Sequence, residues 1–203
     1  MKTTMIVFFT LISIMVYSNT PKNRTVENPT SITITGKDTL LSFENELQGE
    51  LPSGWSQFYT GQGSTDWKVF DDQGNKVLAQ LYSDNPNGHF NIIVNDKISA
   101  KDMKLTVRLK GVTGNHDQGG GFVWRFTDKS NYYVVRANPL EDNVVLYKVE
   151  NGKRTDLPLV GKGKTYGVDV PSLGTGWNTL KLLVKDDLFT VFLNGKEIFK
   201  VQD

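Results

Sequence analysis

Residues able to do polar chemistry collect in one stretch, GGGFVWRFTDKSNYYVVRANPLEDNVVLYKVE, residues 119–150. Arg125, Tyr132, Arg136 and Asn138 bring two guanidinium forks, a phenol and an amide. Together they suit sugar hydroxyls or a carboxylate. The plainer alternative makes the arginines surface or inter-sheet ion pairs. Glu141, Asp142 and Glu150 add carboxylates beside this set. Two carboxylates roughly 5–10 Å apart are what glycoside hydrolysis needs, so these three are the catalytic candidates. Trp55 and Trp67 read either as core residues or as platforms on which a sugar ring stacks.

Other chemistries find little here. His89 and His116 lie far apart with no paired ligand spacing, so no metal site is expected. A Ser–His–Asp triad would need one of those two histidines, and no Gly-x-Ser-x-Gly elbow exists. Gly119-Gly120-Gly121 is a glycine run at a strand edge, not a phosphate loop opening a helix.

The candidate residues need strands to position them. Phe122, Trp124 and Phe126 alternate with Val123 and Arg125, and Tyr133, Val135 and Ala137 alternate with Tyr132, Val134, Arg136 and Asn138. A period of two marks strands with unlike faces. With Thr127–Ser130 as a four-residue loop, Phe126 pairs with Asn131, Arg125 with Tyr132, Val123 with Val134 and Gly121 with Arg136. A loop over 139–143 then sets Asn138 opposite Val144, Arg136 opposite Leu146, Val134 opposite Lys148 and Tyr132 opposite Glu150. One face becomes core, with Phe122, Trp124, Phe126, Tyr133, Val135, Val145, Tyr147 and Val149. The other carries Arg125, Tyr132, Arg136, Asn138, Lys148 and Glu150, with Arg136 about 13 Å along the strand from Tyr132.

Further strands are expected over 31–35, 39–43, 67–70, 76–81, 90–94, 103–112, 153–159, 177–185, 188–193 and 196–201, with turns at 36–38, 71–75, Asn151-Gly152, Asp186-Asp187 and Asn194-Gly195. No stretch after the first eighteen residues holds a helical apolar period. Many short strands predict an all-β, two-sheet antiparallel β-sandwich of jelly-roll type.

The first eighteen residues, MKTTMIVFFTLISIMVYS, place Lys2 before a short apolar run and read as a secretory signal peptide. Residues 19–30 read as a polar tail, and residues 31–203 as a single sandwich domain. The chain has no cysteine, which fits a periplasmic or extracellular bacterial protein without disulfides. Basic residues number 23 against 22 acidic, and Lys2 is the only charge in the leader, so the remainder balances at zero. Nothing there attracts nucleic acid, and no membrane anchor is expected once the leader is cleaved.

The central block GGGFVWRFTDKSNYYVVRANPLEDNVVLYKVENGKR, with LPSGW (51–55), NKVLAQ (75–80), WNTLKLLVK and VFLNGKEIF, resembles a group of bacterial secreted proteins. These are concanavalin A-like or laminin-G-like jelly rolls related to the 3-keto-disaccharide hydrolase domain. The resemblance spans about residues 43–201. It implies a ligand groove on a concave sheet, and either glycan binding or hydrolysis of keto-sugar glycosides. It also admits a structural or protein-interaction module of laminin-G type. No cofactor is implied, although some relatives hold a structural calcium at a rim. Members continue past the VFLNGKEIF strand, so the resemblance implies that the last strands are missing after Asp203. The expected partner is a carbohydrate or glycoside, held by Arg125, Tyr132, Arg136 and Asn138.

Overall fold

The computed structural model describes the backbone of residues 6–17 and 36–38 and the complete residues 39–61, 63–84, 88–95, 97–115 and 117–203. The expected tail over 19–30, the expected strand over 31–35 and His116 lie outside the described residues. Fifteen strands and no helix occur among the described residues.

The large sheet contains β1 (Ile6–Tyr17), β2 (Gly36–Leu41), β4 (Trp67–Asp72), β5 (Asn75–Gln80), β7 (Asp102–Thr113), β13 (Asn178–Lys185), β14 (Leu188–Leu193) and β15 (Lys196–Gln202). Its order is β15-β14-β13-β7-β1-β5-β4, with β2 on β1. Residues 36–38, expected as a turn, are the start of β2. A second sheet has the order β11-β10-β9-β8, built from β8 (Gly120–Asp128), β9 (Asn131–Asn138), β10 (Asn143–Glu150) and β11 (Lys153–Asp156). The short β12 (Val168–Asp169) pairs with the start of β10. A two-stranded ribbon pairs β3 (Trp55–Tyr59) with β6 (Asn91–Asn95). All the pairings are antiparallel, and the chain is an all-β sandwich.

Alternation drives the packing, as the sequence leads one to expect. Met103, Leu105, Val107 and Leu109 of β7 are buried, as are Leu180, Leu182 and Val184 of β13 and Phe189 and Val191 of β14. They meet Phe122, Trp124, Val135, Ala137, Val144 and Leu146 from the inner face of the second sheet in one core. Burying such a set is the main stabilising term. The turns at Asn151-Gly152 and Asn194-Gly195 hold both residues at positive φ (51° and 77°, 48° and 84°), the conformation that joins adjacent strands with the right twist. At the β4–β5 turn only Gln73-Gly74 lies between the strands.

Two registers differ from the sequence expectation. Asn138 pairs with Asn143, Arg136 with Val145, Val134 with Tyr147 and Tyr132 with Val149. The connection is the four-residue 139–142, one shorter than expected. Asp142 makes this shortening possible by taking φ 46°, a conformation short polar side chains tolerate. The one-residue slip turns over every side chain of β10. Val145, Tyr147 and Val149 therefore share the face of Arg136 and Tyr132, and Lys148 points to the other side. In β8, Gly121–Arg136 and Val123–Val134 pair as expected, but Asp128 pairs with Asn131 and a bulge intervenes after Trp124. Arg125 sits in that bulge at φ 49°. Phe126 is thereby delivered to the outer face, 4.8 Å from the ring of Phe58 and 5.9 Å from that of Tyr132.

The ribbon lies across this outer face. Phe58, Phe90, Ile92 and Val94 pack with Tyr132, Val134, Val145, Tyr147 and Val149 in a second apolar cluster. Its opposite face contributes Trp55 and Ile93 to the main core. The ribbon thus closes most of what would otherwise be an open sheet surface.

Candidate functional site

Arg136 is the hub of the polar groups. It is only 5% exposed. Its guanidinium donates to Asn143 Oδ1, to Glu141 Oε2 at 2.6 Å, to Tyr147 Oη at 3.3 Å and to Tyr166 Oη at 3.4 Å. Tyr147 in turn donates to Tyr166 at 2.8 Å. Burial pulls the Arg136 pKa down, but the Tyr147 phenol and the Glu141 carboxylate, joined by Asp117 and Tyr166, leave it raised. The cation is therefore permanent. Burial is also the largest influence on Tyr147, whose phenol is pushed well above its ordinary value. It stays protonated and able to donate.

Loops build the rim of this hub. Gly167 has φ 64°, and a Cβ there would strike the Val144 carbonyl and the Val145 side chain. Only glycine lets the 161–167 loop lie flat enough on β10 to bring Tyr166 over Tyr147. Asn138 is fully buried. Its Oδ1 accepts from the amides of Gln118 at 3.3 Å and Leu140 at 3.1 Å, and its Nδ2 donates to Asp117 Oδ1 at 2.8 Å. Asn138 thus joins two loops at the end of the sheet. Arg154 lies over the rings of Tyr147 (4.8 Å) and Phe90 (5.7 Å), within cation–π range of both.

A cleft of about 360 Å³ opens beside the hub, between the free edge of β8 and β6. Trp55, Trp67, Trp124, Asn91, Asp117 and Arg136 are among its walls. Trp124 Nε1 and Asn91 Oδ1 are buried and have no hydrogen-bond partner among the described residues. Buried polar atoms are nearly always paired, so a donor and an acceptor left over in one cleft call for a ligand or water. Gly121 helps form this edge: a Cβ there would collide with the Val135 carbonyl oxygen.

Of the expected binding residues, Arg125 and Arg136 both line the cleft, while Tyr132 and Asn138 do not. Arg136 and Asn138 stand together at one end. Tyr132 is 2% exposed, hydrogen-bonded to Thr60 Oγ1 at 2.5 Å, with its pKa pushed up to about 12 by burial. Arg125 leaves the outer face altogether, lying 5.1 Å over the Phe189 ring and donating to the Asp186 carbonyl. The carboxylates divide in the same way. Glu141 is ion-paired to Arg136. Asp142 Oδ1 accepts from the Leu173 amide at 2.9 Å. Glu150 is exposed at the far end of β10, 3.9 Å from Lys148 and roughly 27 Å along the strand from Asp142. That distance rules out Glu150 as the second member of a carboxylate pair with either. Trp67 is buried in the main core and Trp55 is half-buried against it, and both also border the cleft.

Tyr147, Asn143, Tyr166, Arg154 and Trp124 escaped the sequence argument as site residues. The first two were hidden by the register slip. Tyr166 and Arg154 come from loop and edge positions with no periodic pattern. No group of three or more His, Cys, Asp or Glu among the described residues is arranged to hold a metal ion.

No family model and no curated protein matches this chain. Among solved structures, the chain is similar to the carbohydrate binding module CBM66 from Bacillus subtilis, with a TM-score of 0.54 and 21% identity over 74% of this chain and 80% of that one. At this identity the similarity establishes the sandwich fold.

Proposed function

We propose that this protein is an exported carbohydrate-binding β-sandwich that holds a short glycan in the β6–β8 cleft, with Arg136 in its wall. The observation that carries this reading is the unpartnered Trp124 Nε1 and Asn91 Oδ1 in a cleft with three tryptophans in its walls. Of the three, half-buried Trp55 has the ring face to meet the C–H groups of a pyranose or furanose, while Trp67 and Trp124 are core residues that border the space. The two free polar atoms offer one donor and one acceptor to its hydroxyls, and a cleft of about 360 Å³ suits a small ligand. In its wall, buried Arg136 adds a permanent positive charge. The sandwich it resembles is itself a carbohydrate binding module, which supports the same reading.

Hydrolysis of a 3-keto-disaccharide, the second reading, requires two carboxylates across the scissile bond. Glu141 is the only one of the three candidates that touches Arg136, and its charge is committed to that arginine. Binding therefore has the better claim.

The test is a glycan panel followed by calorimetry on the best ligand, with Trp124→Phe and Glu141→Gln alongside. Trp124→Phe keeps a ring in the core and deletes the N–H, and affinity should fall about tenfold or more. Undiminished affinity in Trp124→Phe would remove the cleft from the account. Turnover of a keto-disaccharide that disappears in Glu141→Gln would make the protein an enzyme.

A further inference from the structure

Two buried hydroxyls outside the cleft also lack partners. Tyr59, the last residue of β3, is 6% exposed, and its Oη makes no hydrogen bond among the described residues. Thr65 Oγ1, in the loop that leads to β4, is buried and unpartnered too. Both residues border a second, open hollow of about 370 Å³. Buried hydroxyls are nearly always paired, so two left over in one wall call for a group from outside the chain. Glycine shapes this wall. A Cβ on Gly63 would run into Cε1 and Cζ of the Tyr59 ring, so the loop lies directly against the phenol end. A Cβ on Gly61 would meet the His89 ring at 2.8 Å.

The polar groups of the wall are one-sided. Two of its acceptors are already taken: Gln57 Oε1 accepts from the Trp67 amide at 3.1 Å, and the Gly61 carbonyl accepts from Lys129 Nζ at 3.5 Å. What is left can donate. The hydroxyls of Tyr59, Ser64 and Thr65, the side-chain amide of Gln57 and the remaining protons of the exposed Lys129 ammonium all border the hollow. Burial, reinforced by Tyr82, raises the Tyr59 pKa, so the phenol keeps its proton. No aspartate or glutamate stands in the wall among the described residues. Asp66 and Asp128, next to Thr65 and Lys129 in sequence, are engaged elsewhere. Asp66 pairs with Lys68 at 3.0 Å, and Asp128 accepts from the Ser130 amide and the Asn131 side chain.

We propose that this hollow is an oxyanion site, which takes a carboxylate or sulfate group against Lys129, Tyr59 and Thr65. The group arrives as a free ion or as the acidic substituent of a sugar, and the chemistry that recognises it is the same. Lys129 carries the only full charge in the wall among the described residues. An ionised acceptor makes the strongest hydrogen bonds to such donors and satisfies both orphan hydroxyls at once.

The experiment titrates the isotope-labelled full chain with sodium acetate, sodium sulfate, sodium glucuronate and glucose. Ionic strength is held constant with chloride, and the amide resonances of Ser64, Thr65 and Lys129 are followed. Acetate, sulfate and glucuronate should each shift them saturably, and glucose should not. A tighter hold on glucuronate than on acetate marks the sugar-borne group as the source, and the reverse marks the free ion. Lys129→Gln should weaken binding about tenfold or more, and Tyr59→Phe about fivefold. Tyr59→Phe should keep or raise the melting temperature, because it deletes a buried hydroxyl that has no partner. Shifts that never saturate, that chloride alone reproduces or that survive Lys129→Gln would overturn the proposal and leave an adventitious ion only. Equal binding of glucose would overturn it as well, since the wall would then be reading hydroxyls rather than charge.

Discussion

Arg125 and Arg136 lie on paired strands of one hairpin, yet they live in opposite circumstances. Arg136 is buried and spends its guanidinium on Asn143, Glu141, Tyr147 and Tyr166. Arg125 is pushed out by a bulge, rests on the rings of Tyr133 and Phe189, and reaches a backbone carbonyl at the β13–β14 turn. The lesson is that residue type says little about an arginine's role. What decides it is whether the strand's register carries the side chain into a polar enclosure or lets it cap an edge.

The sharpest way to break this contrast is to remove each arginine in turn. Arg136→Ala should cost roughly 3–5 kcal/mol in urea denaturation, because it leaves a carboxylate and buried polar groups without their partner. Glycan retention should fall with it. Gly121→Ala, directly opposite Arg136, should cost roughly 1–3 kcal/mol, since the added methyl collides with the backbone of the adjacent strand. Arg125→Ala should cost only about 0.5–1 kcal/mol, the scale of a surface cation–π contact. Equal losses for the two arginines would refute the contrast.

The end of the sheet away from Arg136 should report itself through pH. Tyr132 has its pKa raised by burial from 10.0 to about 12. A raised value means that its contribution to stability is complete below pH 10 and is lost as pH rises toward 12. Melts in this alkaline range should be flatter for Tyr132→Phe than for the parent. The smallest effect concerns Asp203. Burial raises its pKa, but hydrogen bonds from Tyr133 and Lys148, with the charges of Lys148 and Arg125, leave it below its ordinary 3.8. Its contribution is present above that value and lost as pH falls below it. Asp203→Asn should soften the acid limb of the melting curve and leave the neutral range alone.

How much of this could be read from the sequence varies along the chain. The turns with Asn-Gly stand out because both residues must take positive φ, and few other dipeptides do so cheaply. β7 and β13 are evident because one face is wet and the other is core. The ribbon strand β3 is not, since WSQFY lies between two environments and shows no clean alternation. At β10 both faces carry apolar residues, so hydrophobicity could not choose between two registers. Asp142 chose, through a backbone conformation that no pattern displays. The site suffers most from this. Arg136 is recognisable by type, but Tyr147 is readable only with the right register. The cleft depends on how a ribbon from residues 55–95 lies against β8, a long-range placement that local spacing does not encode.

The walls of the cleft also have an optical consequence. Of the four tryptophans in the chain, Trp55, Trp67 and Trp124 border that one space. Trp177 stands apart on the other side of the large sheet, beneath Arg108 at 5.2 Å and Lys110 at 4.9 Å. Most of the protein's indole emission therefore originates around a single cavity, and Trp177→Phe would leave a chain whose fluorescence comes from that cavity alone. Filling it should change intensity and wavelength together, making the protein its own unlabelled sensor of occupancy.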